Sequence, residues 1–132
     1  MIDIYDNVLE PHLAELIDMK MHQQTWRYNY HSQNGTPNKH WHIFCGHNPE
    51  EVSKNEYDWL MPIWETAFAK YDFKKKYNVV EFKRLYLNAH THGIEPHMHI
   101  DDGDFTMMYY PRLDWKMEWG GGTVVDGQLV QN

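Results

Sequence analysis

The residues of this sequence best suited to metal chemistry are a histidine and an aspartate two positions apart, His99 and Asp101. Residues two apart in a β-strand project from the same face, so His97, His99 and Asp101 would point the same way. An imidazole and a carboxylate at this spacing can bind one divalent ion such as iron. A second histidine from elsewhere would complete a facial triad that leaves positions open for catalysis.

Ten histidines is a high number for 132 residues, and most of them fall in two groups. The later group is His90, His92, His97 and His99. In it, His97 could be a substitute ligand, a hydrogen-bond donor to one of the ligands, or a structural histidine. The earlier group, His40, His42 and His47, could line a substrate groove or lie exposed on a strand and a loop. We expect the groove to include the segments from Trp26 to Tyr30 and from His40 to Cys45.

Hydrophobic spacing predicts helices early in the chain and strands later. Helical periodicity runs from Pro11 to Gln24, and again through Leu60 to Phe68 after a helix-start signal at Asn48. Strand-like patterns cover 26–30, 40–45, 79–89, 98–100 and 105–110, with a hairpin of 123–125 and 128–130 turning at Asp126 and Gly127. This order predicts an α+β fold.

Composition limits the class of protein. At 132 residues, with a net charge of −7 and only three arginines, the chain is expected to be one domain that does not bind nucleic acid. The many tryptophans, tyrosines and methionines predict a folded, aromatic-rich core. No apolar run approaches a membrane span. The lone Cys45 and the absence of a signal-peptide pattern predict an intracellular protein.

The order of motifs around the dyad resembles the prolyl-4-hydroxylase-like branch of the iron(II)- and 2-oxoglutarate-dependent oxygenases, most of all the versions that bacteriophages carry. Members of that branch have a strand tyrosine, a glycine before His-x-Asp, then threonine, a tyrosine pair, tryptophan and Gly-Gly-x-Thr. The matching positions are Tyr86, Gly93, His99, Asp101, Thr106, Tyr109, Tyr110, Trp119, Gly120, Gly121 and Thr123.

The resemblance implies a function and a set of roles. His99 and Asp101 would be the iron ligands, Tyr110 would bind the distal carboxylate of 2-oxoglutarate, and Tyr86 would line the same pocket. The implied reaction uses molecular oxygen to hydroxylate a prolyl or other peptidyl side chain, with succinate and CO2 as co-products. The implied location is the cytoplasm, or the host cytoplasm for a phage protein.

The implied fold is a double-stranded β-helix, or jelly roll. Residues 1–78 would supply helical support and early strands, and residues 79–132 an incomplete β-helix that carries the metal motif. The family's distal histidine ligand and its carboxylate-binding arginine or lysine lie beyond Gly-Gly-x-Thr. Neither residue follows Thr123 here, so the resemblance implies either a C-terminally truncated chain or a short natural variant, and it leaves open whether this form is active or inactive.

Two other interpretations stay open. The chain could be a noncatalytic module with a degenerate oxygenase fold, and the open sheet edges of an incomplete barrel could then pair in a homodimer. Alternatively, His97-x-His99-x-Asp101 approaches the His-x-His-x-Asp-His motif of metallo-β-lactamase-like hydrolases. That motif would require a histidine at Asp102.

Overall fold

A computed structural model describes residues 1–78, 81–94 and 97–130. These residues form a mixed α/β structure with two small antiparallel sheets, and they contain no closed barrel. In chain order the elements are α1 (Pro11–His22), β1 (Arg27–Tyr30), β2 (His40–Gly46), α2 (Pro49–Lys54), a 3-10 turn (Asp58–Leu60), α3 (Met61–Lys70), α4 (Phe73–Tyr77), β3 (Leu85–Ala89), a second 3-10 turn (Met117–Trp119), β4 (Thr123–Val125) and β5 (Gln128–Val130).

The chain divides into two compact units. One unit comprises Met1–Gln23 and Met108–Asn132, and the other comprises Gln24–Met107. The first unit contains α1 and the β4–β5 hairpin, whereas the second contains the three-stranded sheet, the other helices and the His99/Asp101 dyad.

Helix α1 confirms the first predicted helix and ends two residues before Gln24. Pro11 occupies its first turn, where a missing N–H costs no intrahelical hydrogen bond. At the other end, His22 Nδ1 lies 2.7 Å from the Asp18 carbonyl oxygen and can donate to it. The apolar stripe brings Ile17 to complete burial, which anchors this helix in its unit.

The β4–β5 hairpin is also confirmed. Thr123 pairs with Val130 and Val125 pairs with Gln128. The two turn residues, Asp126 and Gly127, both have positive φ angles, of 49° and 78°. Such angles are those of a type I′ turn, whose twist matches that of the strands it joins.

Local capping chemistry explains the start of α2. The Asn48 side chain accepts a hydrogen bond from the Glu51 backbone N–H at 2.9 Å, and the Glu51 carboxylate accepts one from the His47 N–H at 2.9 Å. The first bond gives a partner to an N–H that a helix start otherwise leaves without one, and the second ties the residue before the cap to the first turn of α2. Pro62 lies in the first turn of α3, as expected for a residue that starts a helix.

The three-stranded sheet has the order β1-β2-β3, and both pairings are antiparallel. Side chains alternate between its two faces. Ile43 and Cys45 of β2 and Leu87 of β3 are buried on the face that we call the core face. Gly46 ends β2 close to α2, where an added Cβ would lie 2.7 Å from the Val52 backbone nitrogen.

Two of the predicted strands are wrong. The segments from Met98 to Ile100 and from Phe105 to Tyr110 form no β-ladder. Alternating side chains favour a strand only where a neighbouring strand can pair with its backbone groups. In the described sheet β3 lies at an edge and pairs only with β2. The predicted strand at 79–89 shrinks to β3, with Val79 and Val80 outside the described residues.

The core is less aromatic than the composition predicts. The most deeply buried side chains among the described residues are those of Ile17, Cys45, Val52, Leu60 and Phe73. The tyrosines and tryptophans instead remain at least partly exposed. Their ring edges and polar atoms keep contact with water, while aliphatic side chains fill the interior.

Candidate metal and co-substrate site

The face of the sheet opposite the core face carries polar and aromatic side chains, and we call it the pocket face. His42 of β2 pairs in register with Asn88 of β3, and His42 Nδ1 lies 2.7 Å from Asn88 Oδ1. The Tyr30 ring stacks on the His42 ring, with centroids 3.7 Å apart and planes 7° from parallel. Tyr86 lies on the same face, 5.5 Å from the His42 ring.

His99 and Asp101 face each other although their segment is not a strand. His99 Nε2 lies 3.5 Å from Asp101 Oδ1. The remaining nitrogen of the imidazole, Nδ1, lies 2.9 Å from the His97 carbonyl oxygen, and the remaining carboxylate oxygen, Oδ2, accepts a 2.8 Å hydrogen bond from the Thr106 hydroxyl. Each side chain is therefore held through one polar atom and presents the other.

The dyad opens into a cavity of about 190 Å³. This cavity is lined by Tyr30, Ser32, Tyr86, Asn88, His99, Ile100, Asp101 and Asp102. A second, larger cavity of about 470 Å³ is lined by Ser32, Gln33, Met98, His99 and Ile100. Three of these residues, Ser32, His99 and Ile100, line both cavities, so His99 lies where the two meet.

Two cationic side chains, Lys83 and Arg84, pair with Asp102, which lines the first cavity. Asp102 Oδ1 lies 2.6 Å from Arg84 Nη2, and Asp102 Oδ2 lies 3.2 Å from Lys83 Nζ. The hydrogen bond from Lys83 and the charge of Arg84 hold the pKa of the Asp102 carboxyl below its ordinary value. Asp102 is therefore ionised and paired, which leaves Asp101 as the carboxylate available to a metal ion.

Tyr86 is the predicted pocket residue that the structure brings into the same cavity as the dyad. Burial raises the pKa of its hydroxyl, and the nearby Asp101 carboxylate raises it further. The Arg84 guanidinium lies 5.5 Å from the centroid of the Tyr86 ring. At neutral pH Tyr86 thus keeps its proton and can donate a hydrogen bond into the cavity.

Tyr110 belongs to the other compact unit. There its hydroxyl forms a hydrogen bond with the Thr123 hydroxyl. Its predicted role as the ligand of the distal 2-oxoglutarate carboxylate stays a prediction.

The separation of the two donor atoms suits a single metal ion. Bonds from first-row ions to imidazole nitrogen or carboxylate oxygen are about 2.1 Å long, so one ion can contact donors up to about 4.2 Å apart. The 3.5 Å between His99 Nε2 and Asp101 Oδ1 falls within that reach. In the described ranges, however, no group of three or more His, Cys, Asp or Glu side chains is arranged as a metal site.

His97 contributes through its backbone. Its carbonyl oxygen faces His99 Nδ1, and its own side chain is exposed. If the Nδ1 atom carries the proton and donates to this carbonyl, the Nε2 lone pair is free for a metal ion. Within the described residues, His97 therefore meets His99 through its backbone carbonyl and not through its imidazole.

His40 is the most buried histidine of the pocket face, with 3% of its surface exposed. Its ring lies 4.7 Å from the ring of His90 and 6.4 Å from that of His42. Burial is the main cause that lowers the pKa of His40 to about 4, and His90 and His42 lower it further. At neutral pH His40 is therefore uncharged.

Ser32 and Asn88 are cavity residues that the sequence did not identify. Asn88 lies in the predicted strand, but its place beside His42 follows from the register between β2 and β3, which has no signature in the sequence. Of the two segments predicted to form a substrate groove, 26–30 contributes Tyr30 to the first cavity, whereas no residue of 40–45 lines either of the two cavities.

No protein-family model matches this chain, and neither does a curated protein or a solved structure. None of the helices in the described ranges combines the length and apolar character needed to cross a membrane.

Proposed function

We propose that this chain is an iron(II)- and 2-oxoglutarate-dependent dioxygenase of the prolyl-4-hydroxylase-like type, which hydroxylates a prolyl or other peptidyl side chain. The observation that carries the proposal is the arrangement of His99 and Asp101. Each side chain is oriented by a hydrogen bond to one polar atom and presents the other, and the two presented atoms are 3.5 Å apart. A solvated surface pair would not require this support.

Four residues would each have a separate role at the metal. His99 Nε2 and Asp101 Oδ1 would hold Fe(II), the His97 carbonyl would fix the imidazole tautomer, and Thr106 would fix the carboxylate. When bound, Fe(II) couples oxidative decarboxylation of 2-oxoglutarate by O2 to hydroxylation of a C–H bond, giving succinate, CO2 and the alcohol.

One tyrosine of the same compact unit would line the co-substrate site beside the dyad. Tyr86 is protonated, and its hydroxyl would donate a hydrogen bond to a 2-oxoglutarate oxygen in the first cavity. For Tyr110, binding of the distal carboxylate stays a role that only the resemblance implies. We also propose that the three-stranded sheet forms part of one wall of a double-stranded β-helix, with its pocket face toward the metal.

Anaerobic titration of the chain with Fe(II), with and without 2-oxoglutarate, tests the proposal. We expect the weak visible charge-transfer band of a chelated complex only when both are present. His99→Ala and Asp101→Ala should each abolish the band. The matched control is His97→Ala, which removes an exposed imidazole but keeps the carbonyl that orients His99, and it should retain the band.

A second readout is catalysis. Oxygenated samples should form succinate only with added iron and 2-oxoglutarate, and His99→Ala should form none. A folded wild-type chain that gives neither band nor succinate would contradict the proposal and favour a noncatalytic module. Tight binding of two zinc ions per chain would instead favour the metallohydrolase interpretation.

A further inference from the structure

Strand β1 contains one residue more than the stretch of β2 with which it pairs. Arg27 pairs with His42 and Tyr30 pairs with His40, so three steps along β1 match only two along β2. The additional residue is accommodated at Asn29, whose φ angle of 91° is one that non-glycine residues rarely adopt. This is a β-bulge, an irregularity that bends a strand and redirects its side chains.

The bulge separates two tyrosines that strict alternation would place on one face. Tyr28 packs beside Trp41, with ring centroids 5.1 Å apart, whereas Tyr30 stacks on His42. Trp41 and His42 are consecutive in β2 and therefore project from opposite faces. If the same residues paired regularly, Asn29 would lie opposite His40, and Tyr30 would lie on the core face with Tyr28 and leave the cavity.

The conformation of Asn29 has a cost that its surroundings offset. A positive φ at a residue other than glycine costs on the order of 1–3 kcal/mol, and such strain is concentrated at functional sites. The Asn29 side chain accepts a hydrogen bond from the Lys39 ammonium just before β2, which helps to hold the bulge. This strained arrangement places the Tyr30 ring in the cavity that His99 and Asp101 line.

We propose that Tyr30 is a substrate-contacting residue, against whose ring the hydroxylated side chain packs beside the His99/Asp101 dyad. This inference rests on the proposed function and adds to it a specificity determinant. Tyr30 lines the cavity that holds His99 and Asp101, one face of its ring is covered by His42, and it remains 44% exposed.

The chemistry of the cavity indicates what the ring receives. Asp102 is already paired with Lys83 and Arg84, and the metal ion would occupy Asp101. Tyr30, Ser32, Asn88 and Ile100 offer no charge to a substrate. The side chain that packs on Tyr30 is therefore uncharged, with C–H groups that face an aromatic ring.

The test compares the two tyrosines, which are matched in ring and strand and differ in face. Tyr30→Ala, Tyr30→Phe and Tyr28→Ala are prepared in the full chain, and each folded variant is first titrated anaerobically with Fe(II) and 2-oxoglutarate. We expect the charge-transfer band in all three, because none of these changes removes a proposed ligand. Affinity for a fluorescently labelled oligoproline peptide is then measured by anisotropy.

We expect Tyr30→Ala to weaken peptide binding about tenfold, the loss that corresponds to one aromatic packing contact. Tyr28→Ala should bind as the wild type does, because the Tyr28 ring lies on the other face of the sheet. Tyr30→Phe should also bind as the wild type does, because it keeps the aromatic ring at position 30. In turnover, Tyr30→Ala should raise the KM for the peptide more than it lowers kcat.

Deletion of Asn29 gives an independent check, because it removes the additional residue, restores regular pairing of Tyr30 with His40 and keeps Tyr30 on the pocket face. A folded deletion variant should keep both the band and the peptide affinity of the wild type, because the Tyr30 ring stays beside the dyad, and a loss as large as that of Tyr30→Ala would count against the role of the ring. Equal effects of Tyr28→Ala and Tyr30→Ala, or no binding of oligoproline by a wild-type chain that shows the band, would overturn the role of Tyr30 but not the dioxygenase. Loss of the band in wild type would overturn both.

Discussion

His99 Nε2 and Asp101 Oδ1 lie 3.5 Å apart, and a different neighbour holds each side chain through its other polar atom. The two neighbours, the His97 carbonyl and the Thr106 hydroxyl, lie on opposite sides of the dyad in sequence. The geometry therefore depends on the whole segment from residue 97 to residue 106. This support is what separates the pair from a histidine and an aspartate that happen to be close.

Replacing the supporting hydroxyl should weaken metal binding without removing a ligand. In Thr106→Val the donor to Asp101 Oδ2 is lost, the carboxylate gains rotational freedom, and Fe(II) or Co(II) affinity should fall about 10- to 100-fold. Isothermal titration calorimetry under anaerobic conditions measures the change. Thr91→Val is the matched control, since the Thr91 hydroxyl contacts the Trp41 indole nitrogen instead of the dyad.

The comparison of these two variants decides whether Thr106 acts on the metal. A wild-type affinity in Thr106→Val would show that the 2.8 Å hydrogen bond does not orient Asp101 for a metal. An equal loss in Thr91→Val would point to a general effect of removing threonine hydroxyls.

A second prediction concerns the junction of β2 and α2. In Gly46→Ala the added Cβ would lie 2.7 Å from the Val52 backbone nitrogen, so the strand end or the helix must shift. We expect the free energy of unfolding to fall by about 1–3 kcal/mol, the usual cost of forcing atoms into a packed interior. Urea denaturation followed by circular dichroism measures it.

Gly103→Ala is the control for that substitution. Its nearest neighbour would be the Phe105 carbonyl oxygen at 3.6 Å, an ordinary contact. This variant should unfold within about 0.5 kcal/mol of the wild type, as surface substitutions usually do. A Gly46→Ala variant as stable as Gly103→Ala would contradict the close approach of Val52.

Short-range chemistry made several elements predictable from sequence. Asn48, Pro49 and Glu51 specify the start of α2, and Asp126 with Gly127 specifies the hairpin turn, because each signal acts within a few residues. The strands predicted at 98–100 and 105–110 failed for the opposite reason. A strand needs a distant partner, and alternation alone does not say whether one is present.

The candidate site likewise has a part that a local signal predicts and a part that depends on pairing between distant segments. The spacing of His99 and Asp101 is local and could be recognised in the sequence. The presence of Tyr30 and Asn88 in the same cavity depends on the β2–β3 register and on the bulge at Asn29. Regular alternation would even place Tyr30 on the wrong face, so this part of the site required the structure.

Burial of Cys45 leads to a prediction about reactivity. The side chain is fully buried, and burial raises the pKa of its thiol to about 12. Because the thiolate is the reactive form, the native protein should not react with an aromatic disulfide reagent at pH 8 on the time scale of minutes. In denaturing urea the same reagent should label one thiol per chain at once. Rapid labelling of the native protein would contradict the burial of Cys45.

The buried His40 should make stability depend on pH. Its pKa is lowered from 6.5 to about 4, mainly by burial, so between these values the unfolded state binds more protons than the folded state. Stability contributed by neutral His40 is therefore present above pH 6.5 and is lost as the pH falls toward 4. At about 1.36 kcal/mol per pKa unit, the loss should approach about 3 kcal/mol.

The measurement is the free energy of unfolding by urea at several pH values from 4 to 7, in wild type, His40→Phe and His12→Phe. The His40→Phe variant keeps a buried ring that cannot take up a proton, so its stability should fall less steeply with acidification. His12 is exposed, and His12→Phe should follow the wild-type curve. Parallel curves for all three proteins would assign the pH dependence to other groups and contradict the burial of a neutral His40.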